Sequence, residues 1–227
     1  MKVKFTNFPK EFKVLKKELF KKFNTICLKG EYVLGKELKD FEKNIQKFLK
    51  VKHALGVGNW TEGTIMVLKA LGYSKGDEII TVSNSFIATC GAIAYEGLVP
   101  KLVDVGQDLN IDVNEVKKKI TKKTKAIMPV HLSGIPSDLD KLKKICKKEN
   151  LDLIEDAAHA FGTKYKNNYI GAIGDVGIFS LHPRKSFHVL GDGGLIVTNN
   201  TSLYKKILLL RNHGLKNRDE SLLWGTN

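Results

Sequence analysis

Apolar positions along the chain change their period near residue 50. Over residues 10–24, Phe12, Leu15, Leu19 and Phe23 recur three or four apart, and over 36–49 Leu38, Phe41, Ile45 and Phe48 do the same. That spacing puts each set on one face of a helix. From residue 53 onward, short apolar runs alternate with amphipathic stretches. The runs near 53–57, 78–82, 101–105, 125–129, 151–155, 175–181 and 194–198 have strand length and are bounded by Gly, Pro, Asn or acidic residues. Helical spacing fills 61–72, 86–96, 112–119, 137–149 and 201–212. The alternation predicts an α/β fold of three layers, a mainly parallel (mixed) sheet with helices on both faces. Residues 163–171 predict a hairpin that turns at Asn167-Asn168.

Composition narrows this picture without redirecting it. At 227 residues, 42% of them hydrophobic, the chain can bury a sizeable core. No apolar stretch approaches the ~18 residues of a membrane span, and the charged N-terminus is unlike a signal segment. Cys27, Cys90 and Cys146 are widely spaced and lack any Cys-x-x-Cys, which predicts reduced thiols in a cytoplasm and no metal site. The net charge of +14 raises nucleic-acid binding as a possibility. Against it, the basic residues are 35 scattered lysines and only three arginines, Arg184, Arg211 and Arg218. Arginine is the better residue for bidentate contacts to phosphates and bases, so the excess reads as solvated surface that can attract anionic substrates.

Two strand ends carry candidate chemistry. Leu151-Asp152-Leu153-Ile154-Glu155-Asp156 is an apolar run that ends in carboxylates. Phe179-Ser180-Leu181-His182-Pro183-Arg184-Lys185 brings a lysine just past another run and ahead of Gly191-Asp192-Gly193-Gly194. In an open α/β sheet such ends face the ligand crevice. An amine and a carboxylate placed there suit pyridoxal 5′-phosphate (PLP): the amine forms a Schiff base with the aldehyde, and the carboxylate keeps the pyridine nitrogen protonated. Each residue also has a plainer reading. Lys185 could be a surface charge, Asp156 a helix cap, Phe86 core packing and Ser180 a polar filler in its strand. Thr61 is placed to cap the helix predicted at 61–72, whose first N–H groups could receive a phosphate. The Gly191–Gly194 segment lacks the Lys-Ser/Thr ending of a P-loop and reads as a tight turn.

An ordered set of motifs extends the reading. It comprises Gly56-Val57-Gly58-Asn59-Trp60-Thr61-Glu62-Gly63, Ala70-Leu71-Gly72, Gly76-Asp77-Glu78, Ser85-Phe86-Ile87-Ala88-Thr89, Pro129-Val130-His131-Leu132, Glu155-Asp156-Ala157-Ala158-His159-Ala160, the Lys185 segment and Arg211-Asn212-His213-Gly214. In order and spacing the chain resembles the fold-type-I sugar-nucleotide aminotransferases of the DegT/DnrJ/StrS type, from about Gly30 onward.

The resemblance implies a division into a helical segment, 1–35, and a PLP-binding large domain, 36–227, with a small C-terminal domain expected beyond Asn227 and lacking here. It implies Lys185 as the residue that carries PLP and Asp156 as the partner of the ring nitrogen. Phe86 stacks on the ring, and His159 has a secondary place beside it. The backbone at Trp60, Thr61 and the Ser180 hydroxyl hold the phosphate, and Asn227 reaches the phosphate of a partner subunit in a homodimer with shared sites. Trp60 stands where the family has a small residue, so its side chain must point away from the phosphate. The implied activity is transfer of an amino group from an amino acid, glutamate, to a nucleotide-linked keto-sugar for polysaccharide biosynthesis. A sugar dehydratase of the same fold and a catalytically incompetent fragment or regulator are the alternatives. Related dehydratases carry histidine in place of the lysine, so Lys185 favours the transaminase.

Overall fold

Side-chain caps and left-handed glycines set the ends of the helices. Helix α1 (Phe8–Lys29) starts where the Asn7 side chain accepts from the Lys10 N–H at 3.3 Å and stops at Gly30, φ +70°. The helix expected over 10–24 is therefore longer at both ends, because its limits are caps and not apolar positions. Helix α2 (Lys36–Leu49) has the predicted bounds. The computed structural model describes residues 6–226, which divide into two compact units, one up to Lys43 and one from Asn44.

The second unit holds strands β1 (His53–Val57), β2 (Glu78–Val82), β3 (Val99–Val103), β4 (Thr124–Ile127), β5 (Asp152–Asp156), β6 (Lys164–Tyr165), β7 (Asn168–Tyr169), β8 (Val176–Ser180) and β9 (Gly194–Thr198). Its helices are the end of α2 and α3 (Trp60–Leu71), α4 (Ala88–Tyr95), α5 (Val113–Lys119), α6 (Leu139–Glu149) and α7 (Thr201–Leu210). Seven strands form one sheet in the order β1-β9-β8-β5-β4-β2-β3. Pairing is parallel from β8 through β5, β4 and β2 to β3, while β9 runs antiparallel to both neighbours. The mixed, mainly parallel α/β architecture is the one predicted.

Period-two alternation splits the strand residues between two buried layers. Ile79, Ala126, Ile154, Ile178 and Ile196 pack with Met66 of α3, Ala92 of α4 and Ile207 of α7 in one core cluster. Their strand neighbours Ile80, Ile127, Leu153 and Val197 face the other side and are equally buried. There α6, with Leu139, Leu142 and Ile145 buried, lies against β4 and β5. Each such side chain removed from water contributes about 1.5–3 kcal/mol before entropy is counted.

The hairpin forms one residue earlier than expected. Lys164 pairs with Tyr169 and Tyr165 with Asn168, so the loop is Lys166-Asn167, with Lys166 in the left-handed region at φ +54°. Ring packing accounts for the shift. Tyr169 lies 5.0 Å from Phe48, and the Lys164 ammonium sits 4.9 Å over the Tyr169 ring. Those contacts fix the register more firmly than the turn propensity of Asn. Among the described residues, no helix is long and apolar enough to cross a membrane.

Candidate active site

One edge of the sheet collects the predicted chemistry. Val57, Gly194 and Ser180 lie side by side across β1, β9 and β8, and Asp156 ends the next strand, β5. Chain turns leaving these positions line the crevice beyond the carboxyl ends of the parallel strands.

Asp156 is only 3% exposed and both its carboxylate oxygens are engaged. Oδ1 accepts from the Ala158 N–H at 3.1 Å and Oδ2 from the Thr89 hydroxyl at 3.0 Å. Burial pushes its pKa up to about 6, opposed by those two donors and by the nearby His131 and Lys185. The Asp156 backbone is also fixed, its N–H donating to Pro129 O at 3.0 Å and its carbonyl accepting from the His131 N–H at 3.1 Å. Asp156 is a strand residue and not a helix cap, which removes its plainer reading.

Lys185 sits in the loop after β8, where its N–H donates to His182 O at 2.9 Å. Its side chain is half-buried. Burial lowers its pKa, and the Asp156 carboxylate acts in the opposite sense. The coupling runs both ways, so the structure brings Lys185 and Asp156 together. Two residues on, Phe187 stacks on Phe161 at 4.1 Å, and Phe161 meets Phe179 edge-on at 5.5 Å, which moors the lysine loop to the hydrophobic interior.

The start of α3 is built differently from the expectation. Asn59, not Thr61, is the N-cap: its side chain accepts from the Glu62 N–H at 2.8 Å, and the helix begins at Trp60. Asn at an extended position competes for the cap better than Thr one residue inside the helix. The Trp60 and Thr61 N–H groups thus have no intrahelical acceptor and lie at the positive end of the helix dipole. The indole of Trp60 turns inward. It is buried in the core, and its Nε1 donates to Ile178 O at 3.2 Å. Gly194 allows this corner to close, since a Cβ there would stand 2.5 Å from the Asn59 carbonyl carbon and oxygen.

Ser180 is 8% exposed and its Oγ accepts from the His182 N–H at 3.3 Å, leaving the hydroxyl proton to donate elsewhere. His159 is exposed, with Nδ1 accepting from the Ser133 N–H at 3.3 Å; protein packed around the ring, then the Lys185 charge, lower its pKa. Phe86 lies outside α4, in the turn before it, and is 76% exposed, so core packing does not explain it. It is tied to the site through its carbonyl, which accepts from the Thr89 N–H at 3.1 Å. Asn227 lies outside the described residues. No group of His, Cys, Asp and Glu suited to a metal occurs among the described residues.

Three contributors escaped the sequence reading. Thr89 bonds a residue 67 positions away, so no local spacing announces it. Asn59 carried the cap signal but stood two residues before the predicted start. Glu155 faces away from Asp156, and its carboxylate accepts from the N–H groups of Gly171, Ile173 and Gly174 at 2.8, 2.8 and 2.6 Å and meets His131 Nε2 at 3.2 Å. His131 Nδ1 accepts from the Ser137 N–H at 3.1 Å, which puts the ring proton on Nε2 toward Glu155.

A family description, the DegT/DnrJ/EryC1/StrS aminotransferase family, matches residues 13–227. The chain belongs to that family. Among curated family relatives, a pleiotropic regulatory protein of Geobacillus stearothermophilus is 36% identical over 217 residues, 95% of this chain and 58% of that protein. The dTDP-3-amino-3,4,6-trideoxy-alpha-D-glucose transaminase of Streptomyces venezuelae is 34% identical across 100% of this chain and 60% of its own length. The solved structure of S. venezuelae DesV superposes with a TM-score of 0.95 at 34% identity, covering 99% of this chain and 61% of that one. NtdA of Bacillus subtilis, solved with its cofactor PMP bound, gives 0.87 at 31% identity over 92% of this chain and 48% of that chain. The chain therefore spans about three-fifths of the length of the first relatives in the family.

Proposed function

We propose that this chain carries the catalytic centre of a PLP-dependent transaminase that moves an amino group from glutamate to a nucleotide-linked keto-sugar, within a cytoplasmic homodimer serving polysaccharide biosynthesis. The carrying observation is the placement of half-buried Lys185, in the loop after β8, near buried Asp156, which ends the adjacent strand β5. Its donor set suits the cofactor: an amine of lowered pKa, a fixed carboxylate, two open N–H groups at a helix start and an exposed aromatic ring. Residues 36–227 then form the cofactor-binding domain.

When bound, PLP supplies an aldehyde for the Lys185 amine and a ring that takes up the electron pair released at the donor's Cα. The chain does the rest. Asp156, held by Thr89 and Ala158, presents a negative charge that keeps a ring nitrogen protonated. The Trp60 and Thr61 N–H groups and the Ser180 hydroxyl bind the phosphate. Phe86 covers a ring face and His159 borders it. Asn227 completes the phosphate site of a partner subunit. Lys185 Nζ, whose pKa burial lowers, takes the proton from the donor's Cα and delivers one to the sugar carbon that receives nitrogen.

Lys185 supports transamination over the dehydratase alternative, and the presence of Lys185 near Asp156 speaks against a purely regulatory role like that in one relative's name. Borohydride reduction of the PLP-treated protein followed by peptide mapping should place the pyridoxyl mass on Lys185. Labelling of another lysine, or none, would refute the assignment. Amino-sugar formation from a keto-sugar nucleotide and glutamate tests the activity.

A further inference from the structure

Thr89 makes two contacts at once. Its backbone N–H donates to Phe86 O at 3.1 Å and its hydroxyl to Asp156 Oδ2 at 3.0 Å. Thr89 is 2% exposed and Asp156 3%, so the contact is shielded from bulk solvent. A β-branched residue near a helix start has few χ1 choices, which makes this a stiff link. We propose that Thr89 is a positioning residue: it locks the Asp156 carboxylate plane and ties it to the Phe86 turn, so that the ring-nitrogen partner and the stacking aromatic stand at a fixed spacing. The inference rests on the transaminase reading for its purpose, though not for its geometry.

Every element around Asp156 supplies a group that acts on its charge. Helix α4 gives the Thr89 hydroxyl, the turn after β5 the Ala158 N–H, the turn after β4 His131, and the loop after β8 Lys185. Ala158 belongs to the aspartate's own turn, and His131 is committed to Glu155 and Ser137. Thr89 alone among these four also holds Phe86. Removing its hydroxyl withdraws a donor from the carboxylate, which disfavours ionisation.

The test uses cofactor-free protein labelled with ¹³C at aspartate carboxyls, the Asp156 signal being assigned by its loss in Asp156→Asn. Thr89→Val keeps the shape and removes the donor. The Asp156 titration midpoint should rise by about one pH unit in Thr89→Val and return to the parent value in Thr89→Ser. In PLP-loaded protein the acid limb of kcat should move up by the same interval. An unchanged midpoint in Thr89→Val, or a Thr89→Ser midpoint as high as that of Thr89→Val, overturns the proposal. Should the valine variant not fold, Thr89→Ala against Thr89→Ser carries the same comparison. A parent protein that binds no PLP would sink the transaminase reading while leaving the carboxyl titration able to decide on Thr89.

Discussion

Asp156 shows how a single buried carboxylate can be costly for folding and useful for chemistry. Its pKa of about 6 lies above the ordinary value of 3.8, so the folded state holds the proton more tightly than the unfolded state. The protonated form contributes its full stability below pH ~4, and that contribution is lost as pH rises through about 6. Above pH 7 the buried charge costs roughly 3 kcal/mol on this shift. Asn never ionises, so the Asp156→Asn protein without cofactor should melt higher than the parent at pH 8, with the gap closing toward pH 4. A gap independent of pH would contradict the burial argument. With PLP bound, the same variant should lose about 100-fold or more in kcat, ~3 kcal/mol of transition-state stabilisation, while Lys185 is still labelled by borohydride. Near-parent turnover would remove Asp156 from the role given it. Sequence reasoning could single out Asp156 because it closes an apolar run. It could not weigh Asp156 against Glu155, since which of two adjacent carboxylates faces the crevice depends on strand register.

Among the elements, the strand runs were legible because full burial on both sheet faces leaves continuous apolar stretches. β1, β2 and β9 have the predicted bounds, and the others shift by one or two residues. Strand direction was not legible: nothing in Gly194–Thr198 says that β9 alone runs backward. The α3 corner was misread by one cap, and its packing rests on a backbone approach that leaves no periodic signature. There the C=O of Asn59 crosses β9 where only hydrogen fits. Gly194→Ala must therefore displace backbone, and it should destabilise the protein by about 3 kcal/mol in denaturant titrations. Because the displaced segment carries the Trp60 and Thr61 N–H groups, the same change should weaken PLP more than pyridoxal, which lacks the phosphate. Equal losses for both compounds would dissociate the corner from phosphate binding.

Across the whole molecule, the excess of positive charge is a separate matter from the strand ends and helix start that line the site. The net charge of +14 is distant from any single contact, since the lysines are scattered over solvated faces. Its effect on the site is a long-range field, which speeds encounter with anions and is screened once the Debye length falls below about 10 Å near 0.1 M salt. Pyridoxal phosphate and pyridoxal share a ring and an aldehyde but differ in charge, so they separate this field from local recognition. The association rate of pyridoxal phosphate should fall roughly 5- to 10-fold between about 20 and 300 mM salt, measured by stopped-flow absorbance, whereas that of pyridoxal should change less than about twofold. A nucleotide-linked sugar, which brings its own phosphates, should follow the first curve. If both aldehydes responded alike, the surface charge would have no part in delivering the cofactor, and the lysine excess would be composition without consequence for the site.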